Sequence, residues 1–343
     1  MNGEPLVSIV TPCLNPGERI ARCLDSVAAQ TYPNVEHIVV DGGSTDGTVE
    51  LLQKRSAGFT SEPDRGQAAA INKGFALARG DWLGWLNADD ILTPRSIELA
   101  LAAIEATPGV GWAYGDCDLL RDGEQQSFQR PPALLDARAL EGGNLIPQPG
   151  SLVARWALER VGPIDEEFEL ALDYDLWLRL ALTAVPSVYV PEVLAVFELH
   201  GGSKSGSTPD WEFHVEEAVS LMKRGLPGGA ILMFGRAAAR AAQSSTGRVD
   251  RRRLDDEVAA VANRARRYQP NLEPRKLRAA AYAHAALLEL HLRPRGVRYL
   301  LRPEPWLARD TRATLLRVIG RGAVRRLIHP FELVLRAPAE PAA

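Results

Sequence analysis

The first 120 residues alternate short runs of apolar, often β-branched residues with segments whose apolar positions recur at helical spacing. Strands are predicted at residues 7–10, 35–40, 82–86 and 110–114. Helices are predicted at residues 18–30, 67–78 and 94–104, with another through Leu51 and Leu52. This alternation is typical of βαβ units, so we expect an α/β domain around a largely parallel sheet.

The pattern changes in the second half of the chain. Residues 130–150 are rich in Pro and Gly and are predicted as a loop. A helix at Arg155–Val161, another at residues 174–184 and a strand at residues 187–197 follow, and then a Gly/Ser-rich stretch at 200–208 predicted as a flexible loop. Beyond about residue 210 strand patterns give way to Ala, Leu and Arg at helical spacing. We therefore expect two parts, an α/β domain over residues 1–210 and an α-helical region over residues 211–343.

The amino-acid composition indicates which broad class of protein this is. The chain has 343 residues, 46% hydrophobic and 24% charged, which favours a globular protein of more than one domain. It has no apolar run of membrane-spanning length, no basic-then-apolar leader at its start, and three cysteines without metal-ligand spacing. These features predict a soluble protein of the cytoplasm.

The net charge of −3 conceals a strong asymmetry. Residues from 221 onward contain 25 Lys and Arg against 10 Asp and Glu, whereas the first 220 contain 15 against 33. An acidic first part argues against nucleic-acid binding there and suits a site that collects divalent cations.

Acidic and amide residues recur where predicted strands end. Asp41 follows one strand, and Asn87, Asp89 and Asp90 follow another. In an open parallel sheet such positions line one shared crevice, where ligands bind. Asp46 is equally well interpreted as a helix cap or as a ligand contact. The phosphate-binding P-loop and the GxGxxG dinucleotide motif are both absent from the sequence.

Six motifs in chain order resemble those of the inverting family 2 glycosyltransferases, enzymes of the GT-A fold that use nucleotide-sugar donors. The resemblance covers residues 6 to about 206. The motifs are VSIVTPCLN (7–15), VVDGGSTDGT (39–48), EPDRGQ with AINKG (62–74), GDWLGWLNADD (80–90), ALDYDLWLRL (171–180) and HGGSKS (200–205). The resemblance implies a GT-A, Rossmann-like, mostly parallel sheet flanked by helices, followed by the helical region.

The resemblance also implies roles for particular residues. Those implied to line the donor site are Pro12, Asn15, Asp41 and Asp64 at the nucleoside, Asn87 at the ribose, and Asp89 and His200 at a Mn²⁺ or Mg²⁺ ion beside the diphosphate. Asp173 would be the general base, with Asp175 as the alternative. Two positions depart from the family pattern: Gly42 stands where many relatives have a second Asp, and Leu172 where many have Glu.

The predicted activity is therefore metal-dependent, inverting sugar transfer to a glycan or polyprenyl-linked acceptor during polysaccharide or cell-surface glycan synthesis. The competing interpretations are a sugar nucleotidyltransferase and an inactive relative that only binds nucleotide-sugar or glycan. Trp82, Trp85 and Trp177 are predicted to belong to the core, and Gln148 is left open as a contact of donor or acceptor.

The basic region has two interpretations. A helix at residues 311–328 sets leucines and isoleucine on one side and arginines elsewhere. It could lie on an anionic membrane at the inner face of the cell, close to lipid-linked acceptors, or belong to a small bundle packed on the acidic domain.

Overall fold

The computed structural model describes residues 4–55, 58–121, 124–133, 136–243 and 249–265, and residues 277, 278, 280, 281 and 285. These residues divide into two compact units. The first consists of the segments up to Leu140 together with Asn144–Pro209, and the second of Glu141–Gly143 with the segments from Asp210 on. The helix predicted at residues 311–328 lies outside the described residues.

The first unit is built on one nine-stranded mixed sheet. Its strands are β1 (Val7–Cys13), β2 (Val35–Asp41), β3 (Phe59–Ser61), β4 (Trp82–Trp85), β5 (Ile91–Leu92), β6 (Trp112–Arg121), β7 (Glu124–Gln129), β8 (Leu152–Ala154) and β9 (Ser187–Leu199). They are ordered β3-β2-β1-β4-β8-β6-β9-β5, with β7 paired to β6. Strands β1 to β4 are parallel, as β6 and β9 are to each other, whereas β5, β7 and β8 pair antiparallel. The predicted α/β class with a mostly parallel sheet is confirmed.

The register of the sheet brings the ends of three strands to one edge. Cys13 at the end of β1 lies opposite Asp41 at the end of β2, and Asp41 lies opposite Ser61 at the end of β3. Strand β1 is buried along its whole length, so its alternating faces both contact helices or core. The loops that follow these strands therefore meet above the same edge of the sheet.

The first unit contains helices besides its sheet, and the named elements of the second unit are all helices. Those of the first unit are α1 (Arg19–Ala28), α2 (Thr48–Arg55), α3 (Gln67–Leu77), α4 (Ser96–Glu105), α5 (Ala137–Leu140), α6 (Arg155–Val161), α7 (Leu172–Leu182) and α8 (Lys204–Ser207). The second unit has α9 (Asp210–Lys223), α10 (Pro227–Ala241) and α11 (Arg251–Ala265). Among the described residues, no helix combines the length and the hydrophobicity that a bilayer crossing requires.

Close packing explains one glycine of the sequence motifs. A Cβ atom on Gly74 in α3 would lie 2.3 Å from a methyl carbon of Val10 in β1. Real Cβ atoms do not approach so closely, because the overlap is strongly repulsive. Gly74 thus lets α3 lie close against the central strand β1.

Three tryptophans form the core beneath the site. Trp177 of α7 stacks between Trp85 and Trp112, with ring centroids 6.1 and 5.3 Å away, and is 0% exposed. Trp82 is also buried. The prediction that Trp82, Trp85 and Trp177 belong to the core is confirmed.

Several elements were not predicted from the sequence, among them the short strands β3, β5 and β8 and the helix α5 inside the predicted loop at residues 130–150. Strand β6 continues to Arg121 and turns back into β7, whereas only residues 110–114 were predicted. The Gly/Ser-rich stretch predicted as a flexible loop contains the helical turn α8, because the Ser203 hydroxyl accepts a hydrogen bond from the Gly206 N–H at 3.1 Å and caps it.

Candidate functional site

Asp41 fixes the shape of the loop after β2. Its side chain is 0% exposed and accepts hydrogen bonds from the backbone N–H groups of Gly43 and Ser44 at 3.1 and 3.0 Å, and from the Ser44 and Ser61 hydroxyls. Burial alone would raise the pKa of Asp41, but the hydrogen bonds from Ser44 and Ser61 outweigh it and hold that pKa below its ordinary value. Asp41 is thus an ionised support beneath the loop.

Asn15 joins the loop after β1 to the loop after β2. Its backbone N–H donates to the Ser44 hydroxyl at 2.7 Å, and its side-chain oxygen accepts from the Thr45 N–H at 2.8 Å. Asn15 has a φ of 51°, the left-handed conformation that Asn tolerates better than most residues. Its neighbour Pro12 is buried within β1. The two loops therefore form one cross-linked wall.

Gly42 makes room for the carboxylate of Asp64. A Cβ atom at position 42 would lie 2.9 Å from Asp64 Oδ2. The other oxygen, Oδ1, accepts a hydrogen bond from the Gly66 N–H at 2.8 Å, just before α3. The carboxylate of Asp64 therefore lies next to the position where many members of the resembled family carry a second Asp and this chain has Gly42.

Asp46 is a capping residue. Its Oδ1 accepts hydrogen bonds from the N–H and the hydroxyl of Thr48 at 3.2 and 2.6 Å, at the first residue of α2. Of the two interpretations open from sequence, the structure supports the helix cap.

The loop after β4 places an amide between two other polar side chains. Asn87 donates to Asp90 Oδ2 at 3.0 Å and to Gln148 Oε1 at 3.4 Å, and its own oxygen accepts from Gln67 at 2.8 Å. Asp90 is 0% exposed, and burial, followed by the negative charge of Asp89, raises its pKa well above the ordinary value. Asn87 is therefore fixed in orientation, and Asp90 supports the loop from below.

The two predicted metal residues are brought together although 111 positions separate them. His200 Nε2 lies 3.2 Å from Asp89 Oδ2. The ring's other nitrogen, Nδ1, accepts the Gly202 N–H at 3.1 Å, so in the neutral ring the proton lies on Nε2 and is donated to Asp89. Among the described residues there is no group of three or more His, Cys, Asp or Glu able to hold an ion by themselves.

The two candidate bases occupy different environments. Asp173, half-buried in the first turn of α7, accepts hydrogen bonds from Asn144 Nδ2 at 2.7 Å and from the Tyr174 N–H at 2.8 Å. Asp175 is 0% exposed and forms a 2.8 Å ion pair with Arg179, which is itself 8% exposed. Asp175 is thus buried in a structural ion pair, whereas Asp173 is partly exposed.

Comparison with known proteins agrees with this arrangement. The sequence profile described as Glycosyl transferase family 2 matches residues 8–148. An uncharacterized glycosyltransferase of Mycobacterium tuberculosis is 33% identical over 210 residues, which are 59% of this chain and 78% of that protein. The chain belongs to glycosyl transferase family 2.

Two further proteins resemble parts of this glycosyltransferase. Chondroitin synthase of Escherichia coli is 29% identical over 208 residues, 59% of this chain but only 30% of that larger protein. The crystal structure of S. aureus TarS 1–349 in complex with UDP-GlcNAc matches with a TM-score of 0.57 and 18% identity, covering 84% of this chain and 91% of that one. The fold is therefore shared with glycosyltransferases of the GT-A type.

Three polar residues of the glycosyltransferase site were not predicted from sequence. Lys204 Nζ donates to Gln67 Oε1 at 2.8 Å and to the Glu169 carbonyl at 2.9 Å, and Gln67 in turn holds Asn87. Asn144 contacts Asp173. Gln67 and Lys204 lie inside recognised motifs, but only the folded chain shows which partner each one meets. Asn144 lies in the Pro- and Gly-rich stretch, where periodicity carries no signal.

Proposed function

We propose that this glycosyltransferase moves a sugar from a nucleotide-diphosphate donor to a hydroxyl of a glycan or polyprenyl-linked acceptor, with inversion at the anomeric carbon. The observation that carries the proposal is the pairing of Asp89 with His200 beside the Asn87 network, at the edge where β1, β2 and β4 end. The complex of TarS with UDP-GlcNAc and the name chondroitin synthase support a nucleotide-sugar donor and a role in polysaccharide synthesis.

The donor nucleoside would lie against the wall formed by the loops after β1 and β2. Asn15 and Asp64 are exposed or half-buried there, whereas Asp41 and Pro12 are buried beneath them. Asn15 and Asp64 would contact the nucleoside, and Asp41 would act through the loop it holds. Asn87, with its amide fixed by Gln67 and Asp90, would meet the ribose.

The residues present fit a Mn²⁺ or Mg²⁺ ion that arrives with the donor. Such ions take one or two carboxylates and complete their shell with substrate phosphates and water. Asp89 would supply the carboxylate, and His200, whose Nε2 lies 3.2 Å from Asp89 Oδ2, would reach the same ion. His200 would offer its Nε2 lone pair once the ring proton moves to Nδ1, at the expense of the Gly202 hydrogen bond. When bound, the ion neutralises negative charge on the leaving diphosphate as a Lewis acid.

Asp173 would act as the general base. The acceptor oxygen attacks the anomeric carbon from the face opposite the diphosphate, the hydroxyl proton passes to the Asp173 carboxylate, and the bond between carbon and diphosphate oxygen breaks. The nucleoside diphosphate leaves with the bonding electrons. Proton removal of this kind contributes typically 10²–10⁴-fold to the rate.

We also propose that the enzyme works in the cytoplasm, at the inner face of the cell membrane, where lipid-linked acceptors would be presented. The charge of the region from residue 221 supports contact with anionic lipid, because its 25 basic residues outnumber 10 acidic ones. Sedimentation with anionic vesicles at moderate salt tests this, and a protein that stays in the supernatant would contradict it.

The deciding experiment measures nucleotide release from UDP-, GDP- and dTDP-sugars with Mn²⁺, Mg²⁺ or EDTA. We expect one donor to be turned over in the presence of metal only, and Asp89→Ala and Asp173→Asn to lose at least about 100-fold in rate. Asp89→Ala should also lose metal-dependent nucleotide binding, whereas Asp173→Asn should keep it. Absence of both release and metal-dependent nucleotide binding in the unaltered protein would overturn the proposal.

A further inference from the structure

The stretch between α5 and β8 carries a side chain that meets the proposed base. Asn144 is exposed, and its Nδ2 donates a 2.7 Å hydrogen bond to Asp173 Oδ2. Its side-chain oxygen accepts the Ile146 N–H at 3.2 Å. Because that N–H can only donate, it fixes which end of the amide is oxygen, and the NH₂ group must face Asp173.

The segment that carries Asn144 is anchored within the first unit on both sides. On one side the Tyr174 hydroxyl donates to the Leu140 carbonyl at 2.7 Å. On the other, Gln148 Nε2 donates to the Trp85 carbonyl at 2.7 Å. Tyr174 is the direct neighbour of Asp173, so two adjacent residues of α7 hold two points of the same segment.

Each oxygen of the Asp173 carboxylate accepts a hydrogen bond. Oδ1 accepts the Tyr174 N–H, and Oδ2 accepts Asn144. These bonds oppose rotation about the bond to the carboxyl group and so fix the direction in which both oxygens point. Leu172, at the place where many relatives have an acid, is buried and contributes no charge.

We infer that Asn144 is a positioning residue for sugar transfer: its amide holds the Asp173 carboxylate in the orientation in which it faces the acceptor hydroxyl. This inference rests on the proposed function, in which Asp173 takes the acceptor proton. Asn144 does not exchange protons itself, and its effect on the reaction passes through Asp173.

The first test needs no substrate. The protein is labelled with ¹³C at the aspartate carboxyl carbons and titrated by NMR, with the Asp173 signal assigned by its loss in Asp173→Asn. We expect Asn144→Ala to raise the pKa of Asp173 by up to about one unit, because a hydrogen bond to the charged form is removed. Asn144→Asp should raise it further, because a like charge then faces it. Asn34→Asp is the matched control for the Asp173 pKa, since the Asn34 side chain donates to the Glu4 carbonyl at 2.8 Å.

The second test uses the donor that the release assay identifies. We expect Asn144→Ala to lower kcat about tenfold, with the KM for donor within about twofold, and to move the acidic limb of the pH profile upward with the NMR value. A lower kcat accompanied by a lower melting temperature and an unmoved acidic limb would indicate a merely structural role and overturn the inference.

The outcomes separate the two proposals. An unchanged Asp173 pKa in both Asn144 variants, with Asp173→Asn inactive, overturns the role of Asn144 and leaves the proposed base in place. Full activity of Asp173→Asn overturns both, even where the NMR titration confirms the hydrogen bond.

Discussion

Gly42 and Asp64 lie in contact: a Cβ atom on Gly42 would come within 2.9 Å of Asp64 Oδ2. The second acid that many relatives carry in this loop is absent, and the carboxylate of Asp64 lies against the space that its side chain would take. The position of the Asp64 carboxylate therefore depends on the absence of a side chain at residue 42.

This relationship predicts the effect of a single methyl group. Gly42→Ala should displace the Asp64 carboxylate, break its hydrogen bond with the Gly66 N–H, and weaken nucleotide binding about tenfold. The thermal midpoint should change little, because the carboxylate can turn toward solvent. Gly58→Ala is the matched control, since its added Cβ would meet only the His37 carbonyl at 3.8 Å. Equal nucleotide affinities of the two variants, measured by calorimetry, would contradict the assignment of Asp64 to the nucleoside.

The two carboxylates of α7 should respond to substitution in opposite ways. Asp175→Ala leaves Arg179 as a buried charge without its ion-pair partner, and we expect a loss of about 3–5 kcal/mol in unfolding free energy. Asp173→Ala removes a half-buried side chain and should cost little stability while activity is lost. Denaturant unfolding and nucleotide release, measured on both variants, distinguish them. Activity retained in Asp173→Ala would refute its role as base.

An acid in place of Asn87 should be unfavourable in this chain. Asn87→Asp removes the hydrogen bond to Asp90 and sets two carboxylates about 3 Å apart, where one amide proton was shared. We expect a loss of about 1–3 kcal/mol at neutral pH. Burial already raises the pKa of Asp90, and a second carboxylate beside it would raise that pKa further in the folded state, so the penalty should shrink as the pH falls toward 5. A pH-independent difference from the unaltered protein would contradict this.

His37 should contribute to acid sensitivity. Burial lowers its pKa from 6.5 to about 4, and Thr11 lies 2.8 Å from its Nε2. The unfolded chain therefore binds more protons than the folded one between these values, and stability falls as the pH drops through that window. At pH 5 the effect is as much as ~2 kcal/mol. His37→Gln keeps a polar group near Thr11 without the titration, so the difference in unfolding free energy between pH 7.5 and pH 5 should be smaller by that amount.

Much of the first unit could be predicted from the sequence because strand and helix patterns are local. Buried β-branched runs predicted β1, β2 and β4, and helical periodicity predicted α1, α3 and α7 to within a few residues. Residues at strand ends, such as Asp41 and Asp89, followed from the rule that parallel strands end at one edge. The continuation of β6 to Arg121, its pairing with β7 and the capped turn α8 were not predicted. Strand pairing and a cap formed by one side chain do not produce a repeating hydrophobic pattern in the sequence.

The sequence by itself determined the fold class, the family and most of the polar residues of the candidate site, because strand and helix periodicity and motif order are properties of neighbouring positions. Only the tertiary structure decided which member of that set does what. It buried Asp41 and Asp175, exposed Asp173 to Asn144, set Asp64 against Gly42, and brought Asp89 to His200 across 111 positions. Burial and hydrogen-bond partners depend on contacts between distant segments, and those contacts exist only once the sheet and its loops are assembled.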